Sequence, residues 1–107
     1  PGLNWGNDSR APGKDFKILG LPDDGCFAEY VVVPSSAVHP KPKHLTFEEA
    51  AALPLSGLTG YRALFTRGNI TEGQKVLITG IGGAVAQSML QFALAVGAEV
   101  FLTTGSD

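Results

Sequence analysis

Residues Val76–Asp107 read VLITGIGGAVAQSMLQFALAVGAEVFLTTGSD, and the order of residue types in this stretch decides the fold. Lys75–Thr79 (KVLIT) is a short apolar run of the kind found in buried, parallel strands. Gly80, Gly82 and Gly83 follow at once. Val85, Met89, Phe92, Ala93 and Val96 then share one face of a helix, with Leu90 and Leu94 as a second apolar stripe. Gly97 ends that helix, and AEVFLTT predicts the next strand. Strand, glycine turn, helix and strand within roughly 30 residues make a βαβ unit.

The turn in the middle of this unit suits an anion. Without Cβ atoms the backbone turns tightly, and a phosphate can come close to the amides. The unpaired N–H groups of the helix's first turn and the positive end of its dipole then favour a pyrophosphate. The candidate binding residues are Gly80, Gly82, Gly83, Ala84 and Val85. In the frame Gly80-x-Gly82 a third glycine would fall at Val85. In the frame Gly80-x-x-Gly83-x-x-Ala86 the third place holds alanine, and close helix–strand packing asks only for a small residue there. The competing reading is a glycine-rich turn that serves packing alone.

The second strand narrows the ligand. An acidic residue at its end would hydrogen-bond the adenine-ribose hydroxyls of NAD. The strand ends instead in LTTGSD, so Thr103, Thr104 and Ser106 occupy that place. Small polar side chains leave room for a 2′-phosphate and do not repel it, which favours NADP(H). Asp107 takes the acidic role only if the strand continues through Gly105.

Upstream, residues 1 to about 25 are rich in Gly, Pro, Asn and Asp and predict a loop. Phe27–Val33 within CFAEYVVVP predicts a strand, stopped by Pro34. SAVHPKPKHL is extended, held so by Pro40 and Pro42. Thr46 and Glu49 form a capping box that starts a helix ending at Pro54. A second helix starts at Ser56, with Leu58, Tyr61, Leu64 and Phe65 near one face, and Gly68 and Asn69 break it. TEGQ is a turn before the strand at Lys75.

Composition bounds the rest. At 107 residues the chain suffices for one modest core, and 44% hydrophobic against 17% charged residues fits a globular protein rather than a disordered one. A net charge of −2 offers nothing to nucleic acid or an anionic membrane. Cys26 is the single cysteine, which rules out an internal disulfide and a multi-cysteine zinc site and fits a reducing compartment, the cytoplasm. No apolar run is long enough to span a bilayer, and PGLNWGNDSR is no signal peptide. The missing initiator methionine suggests a processed or excerpted chain.

Three separated segments, GCFAEYVVVP, LTFEEAAALPLSGLTGYRAL and GQKVLITGIGGAVAQSMLQFALAVGAEV, together resemble the middle of a medium-chain dehydrogenase/reductase. The branch they are most similar to is the zinc-free quinone-oxidoreductase-like or zinc-type-alcohol-dehydrogenase-like one, and the resemblance runs from Asp24 onward. It implies an α/β chain: the end of a GroES-like β domain (1–45), linking helices (46–72) and the first βαβ unit of a Rossmann sheet (73–107). It implies hydride transfer between NADP(H) and a quinone, aldehyde or enone when the enzyme is complete. Thr59 matches the threonine that lies beside the nicotinamide ring in this family, and Gly80, Gly83 and Ala86 match its phosphate turn. Thr104 stands where NAD-specific relatives carry an acidic residue. Leu55 stands where zinc-dependent relatives carry a cysteine ligand, and LNWGNDSRAPGKDFKILG replaces their cysteine-rich lobe, so the resemblance implies no zinc. Catalysis would rest on cofactor orientation and carbonyl polarisation, and no residue here is assigned to it.

Plainer roles compete for several of these residues. Thr59 can bond its own helix backbone. Tyr61 suits packing, His39 and His44 suit surface loops, and Cys26 suits a small buried hydrophobe. Glu48 and Glu49 serve the helix dipole. A two-stranded parallel sheet leaves both edges unpaired, so the chain is expected either to form a homo-oligomer, with strand exchange as one route, or to adopt a rearranged packing. The other function classes are a non-catalytic nucleotide-binding or self-assembling module and a small hydrolase using Ser56 or Cys26 with a histidine.

Overall fold

A computed structural model describes residues 2–105. The chain divides into two compact units, Pro1–Ala50 and Ala51–Asp107.

The first unit carries three short strands, β1 (Gly2–Leu3), β2 (Lys17–Leu19) and β3 (Pro22–Asp23), in the order β1-β2-β3. β1 runs antiparallel to β2 (Gly2↔Ile18), and β3 runs parallel to it (Ile18↔Pro22). The expectation of a loop over the first 25 residues is therefore corrected. Strands of two or three residues are too short for alternation to show in a sequence dense with turn formers. Gly20, at φ +98°, turns the chain between β2 and β3, and Lys17 Nζ holds both Asp23 carboxylate oxygens at 3.1 Å.

The strand expected over Phe27–Val33 does not form. Phe27 and Val32 are 110% and 95% exposed. β propensity measures fit to a pleated, half-buried surface, and no strand among the described residues pairs with this segment. Cys26 just before it is exposed rather than buried. A single 3₁₀ turn, Ser35–Ala37, follows.

α1 spans Phe47–Tyr61. Its entry is the expected capping box: the Thr46 N–H donates to Glu49 Oε2 (2.8 Å) and the Glu49 N–H to Thr46 Oγ1 (3.2 Å). The two helices expected on either side of Pro54 are one. Pro54 has no N–H to give the Ala50 carbonyl, a defect worth about 3 kcal/mol in a helix interior. Strong helix formers flank it, and the packing of the helix's C-terminal end rewards continuation. After Tyr61 the chain widens into a π-helical turn, Arg62–Arg67, closed where the Gly68 N–H donates to the Ala63 carbonyl (2.9 Å).

β4 (Lys75–Ile78), α2 (Ala84–Ala95) and β5 (Glu99–Leu102) complete the second unit in the order expected. β4 and β5 are parallel, with Lys75↔Glu99 through Ile78↔Leu102 in register. α2 ends in a Schellman motif: Gly97 at φ +78° donates to Leu94 O and Ala98 to Ala93 O (3.0 and 2.9 Å). The core is Leu64, Ile78, Ala86, Ala93 and Ala98, flanked by Val76, Met89, Phe92 and Val100. Three small residues in so short a list bring α2 close to the sheet. Gly60 does the same for α1, because a Cβ there would lie 3.3 Å from the Met89 backbone nitrogen and 3.3 Å from Ser88 Cβ. Tyr61, Phe65 and Phe92 pack as a ring cluster beside it. On the sheet face away from the core, the register partners Leu77 and Phe101 are exposed.

Candidate functional site

β4 stops at Ile78 and α2 starts at Ala84, so Thr79–Gly83 form the turn between them. Four hydrogen bonds fix it. The Thr103 N–H donates to Ile78 O (3.1 Å) and the Ile81 N–H to Thr103 O (3.2 Å). The Gly80 N–H donates to the Thr103 hydroxyl (3.1 Å), and the Gly83 N–H donates back to Gly80 O (3.0 Å). Gly80 sits at φ +69°, the left-handed region that favours glycine.

Gly83 is the N-cap of α2, in extended conformation (φ −84°, ψ 144°), and no side chain caps the helix. Its carbonyl accepts from the Gln87 N–H at 3.0 Å. The amides of Gly82, Ala84, Val85 and Ala86 have no acceptor among the described residues. No acidic residue lies in the first turn of α2, so no carboxylate of that turn competes for them. The positive end of an uncompensated helix dipole therefore meets a set of open donors.

The turn itself is uncrowded. A Cβ added at Gly80 or Gly82 would meet no atom within 4 Å. An open hollow of about 330 Å³ is lined by Leu77 and Ile78 of β4, by Thr79, Gly80 and Gly83 of the turn and by Val85, Ala86 and Met89 of α2. That size lies at the lower end for ligand pockets and suits a pyrophosphate with one sugar more than a whole dinucleotide. Ala86 is 8% exposed in the core, so the small residue in the third motif position stands where helix meets strand.

The remaining sequence candidates fall in different places. Thr103 and Thr104 follow the end of β5, while Ser106 lies outside the described residues. Thr59 Oγ1 donates to the Leu55 carbonyl (2.7 Å), which spends its proton on the helix and leaves its oxygen lone pairs. Ser56 Oγ donates to Ala52 O (3.3 Å). Cys26 is exposed, and no hydrogen bond joins it to His39 or His44 among the described residues of its unit. The described residues hold no cluster of three or more His, Cys, Asp or Glu suited to a metal.

Sequence reasoning missed the bond between the Gly80 amide and the Thr103 hydroxyl. The signal was the strand register, since the offset that pairs Lys75 with Glu99 places Thr103 opposite Thr79, beside Gly80.

No family model matches the chain. It is 45% identical over 91 residues to a zinc-type alcohol dehydrogenase-like protein of Schizosaccharomyces pombe, covering 83% of this chain and 26% of that protein. The solved structure of an NAD-dependent alcohol dehydrogenase superposes with a TM-score of 0.87 at 38% identity, over 99% of this chain and 33% of the other. The quinone oxidoreductase of Thermus thermophilus, solved also with NADPH, gives 0.67 at 43% identity, over 76% and 27% of the two chains. The chain is a homologue of the medium-chain dehydrogenase/reductases. This dehydrogenase/reductase homologue spans about a quarter to a third of the length of these three proteins. Its relatives are oxidoreductases, a crotonyl-CoA reductase and enoyl reductases among them. Its fold is α/β, as in the alcohol dehydrogenases it superposes on. The names of these relatives split between the two cofactors, NAD in one and NADPH in the other.

Proposed function

We propose that this chain is the phosphate-binding part of an NADP-dependent oxidoreductase that passes hydride to a quinone, aldehyde or enone. The observation that carries this reading is the uncapped mouth of α2: the amides of Gly82, Ala84, Val85 and Ala86 have no acceptor among the described residues, and Val85 and Ala86 line a hollow shared with the Gly80–Gly83 turn. Such donors match the oxygens of a pyrophosphate, and the helix dipole adds to their attraction.

Each remaining residue has a defined part. Gly80 makes the turn and Gly83 opens the helix, while Ala86 lets the helix approach β4. Thr104, small and uncharged, receives the ribose and does not repel a 2′-phosphate. Thr59 offers the nicotinamide an acceptor oxygen, its proton being held by Leu55 O. The chemistry such a cofactor supplies when bound is hydride donation. The chain's own share is to hold the phosphates so that the reactive ring is placed by the rest of the molecule. Leu55, 69% exposed, offers no metal ligand, so activation of the carbonyl falls to hydrogen bonding. We place the enzyme in the cytoplasm, where an exposed lone thiol such as Cys26 stays reduced.

Calorimetric titration with NADPH and NADH tests the reading, run beside Gly83→Asp. Asp is a good N-cap, so the variant keeps its fold while its carboxylate occupies the anion's donors. NADPH uptake that is stronger than NADH uptake and lost in the variant is the expected result. Absent uptake, or uptake indifferent to the substitution, overturns it. Uptake without quinone-dependent oxidation of NADPH would assign the chain to binding alone.

A further inference from the structure

A chain of three hydrogen bonds runs from the end of β5 into α2. The Gly80 N–H donates to Thr103 Oγ1 (3.1 Å), the Gly83 N–H to Gly80 O (3.0 Å) and the Gln87 N–H to Gly83 O (3.0 Å). Its first link is the only one made by a side chain. Gly80 could adopt either sign of φ at little cost, so a bond to its amide helps select the left-handed state seen at +69°. Its carbonyl then meets the Gly83 N–H, which fixes the N-cap and with it the directions of the open amides.

We infer that Thr103 is a positioning residue for the phosphate site, acting through Gly80 and Gly83 rather than by touching the ligand. This rests on the dinucleotide reading above and changes the part that Thr103 plays in it. The sequence grouped Thr103 with Thr104 and Ser106 at the ribose, where it would help to choose between NADP and NAD. The structure turns its hydroxyl to Gly80 instead. A residue at the ribose would change the preference between the two cofactors. A residue that aims the amides acts on the pyrophosphate, which both cofactors share, and changes both affinities alike.

The test uses the whole chain as wild type, Thr103→Val and Thr103→Ser. Valine keeps the β-branched shape, and the backbone bonds of residue 103 to Ile78 and Ile81 need no hydroxyl. Affinities for NADPH and NADH are read by calorimetry, and exchange of the Gly80 amide is read by NMR without ligand. Thr103→Val is expected to weaken both cofactors by about fivefold, the worth of one modest hydrogen bond. Thr103→Ser should restore binding to within about twofold. The ratio of the two affinities should stay constant, and the Gly80 amide should exchange faster in the valine variant only. An unchanged affinity in Thr103→Val, a serine variant as weak as the valine one, or a shifted cofactor ratio overturns the inference while the dinucleotide reading stands. A wild-type chain that takes up neither cofactor overturns both.

Discussion

At Gly82 a methyl group would meet no atom within 4 Å, and φ there is outside the left-handed region. Nothing in the protein's own packing asks for glycine at this position, whereas a ligand resting on the neighbouring amides would. Gly82→Ala should leave thermal stability unchanged or raise it by about 0.5 kcal/mol, because alanine restricts the unfolded chain. The same methyl should hold a phosphate away from its donors and cost about 2 kcal/mol of dinucleotide affinity, the worth of a charge-assisted hydrogen bond. Thermal melting and calorimetry on one sample read the two effects together. Equal losses in both would make Gly82 a folding residue. Gly83→Asp separates the same two quantities from the other side, since a capping carboxylate should stabilise α2 by a few tenths of a kcal/mol while removing uptake.

Among the elements, those whose signal is local were legible in the sequence. The capping box of Thr46 and Glu49, the glycine stop at Gly97 and the strands beside α2 are all set by neighbouring residues, and all are present. Thr46→Ala should therefore lose about 1 kcal/mol, seen as a lower urea midpoint with an unchanged slope. Elements that depend on distant partners were not legible. Phe27–Val33 has strand composition but no paired neighbour, and Pro54 breaks a local rule that packing beyond Gly60 overrides. That packing can be measured. Gly60→Val would push side-chain carbon against the Met89 backbone nitrogen and Ser88 Cβ, both 3.3 Å from a Cβ at that position. α2 cannot yield there without moving its backbone, so overpacking should cost about 2 kcal/mol. Helix propensity alone would predict little change from this substitution, so urea unfolding distinguishes the two accounts.

For the whole molecule, the division into Pro1–Ala50 and Ala51–Asp107 assigns the site to one unit. Every residue around the open amides lies between Leu77 and Thr103. The sequence located this region because a glycine turn and its flanking periods are contiguous. It could not show which hydroxyl supports the turn, because that depends on register across 23 residues. Ligand linkage should follow the same division. A dinucleotide at about 100 times its dissociation constant stabilises whatever must stay folded to bind it by about 2.7 kcal/mol. The core residues of the second unit, Ile78, Ala93 and Ala98, should then exchange their amides about 100-fold more slowly. Amides of β1 and β2 belong to the other unit and should keep their rates. Hydrogen exchange with and without NADPH reads both groups at once. Protection confined to the second unit would make Ala51–Asp107 the folding partner of the cofactor, whereas equal slowing in β1 and β2 would mean that the two units open together.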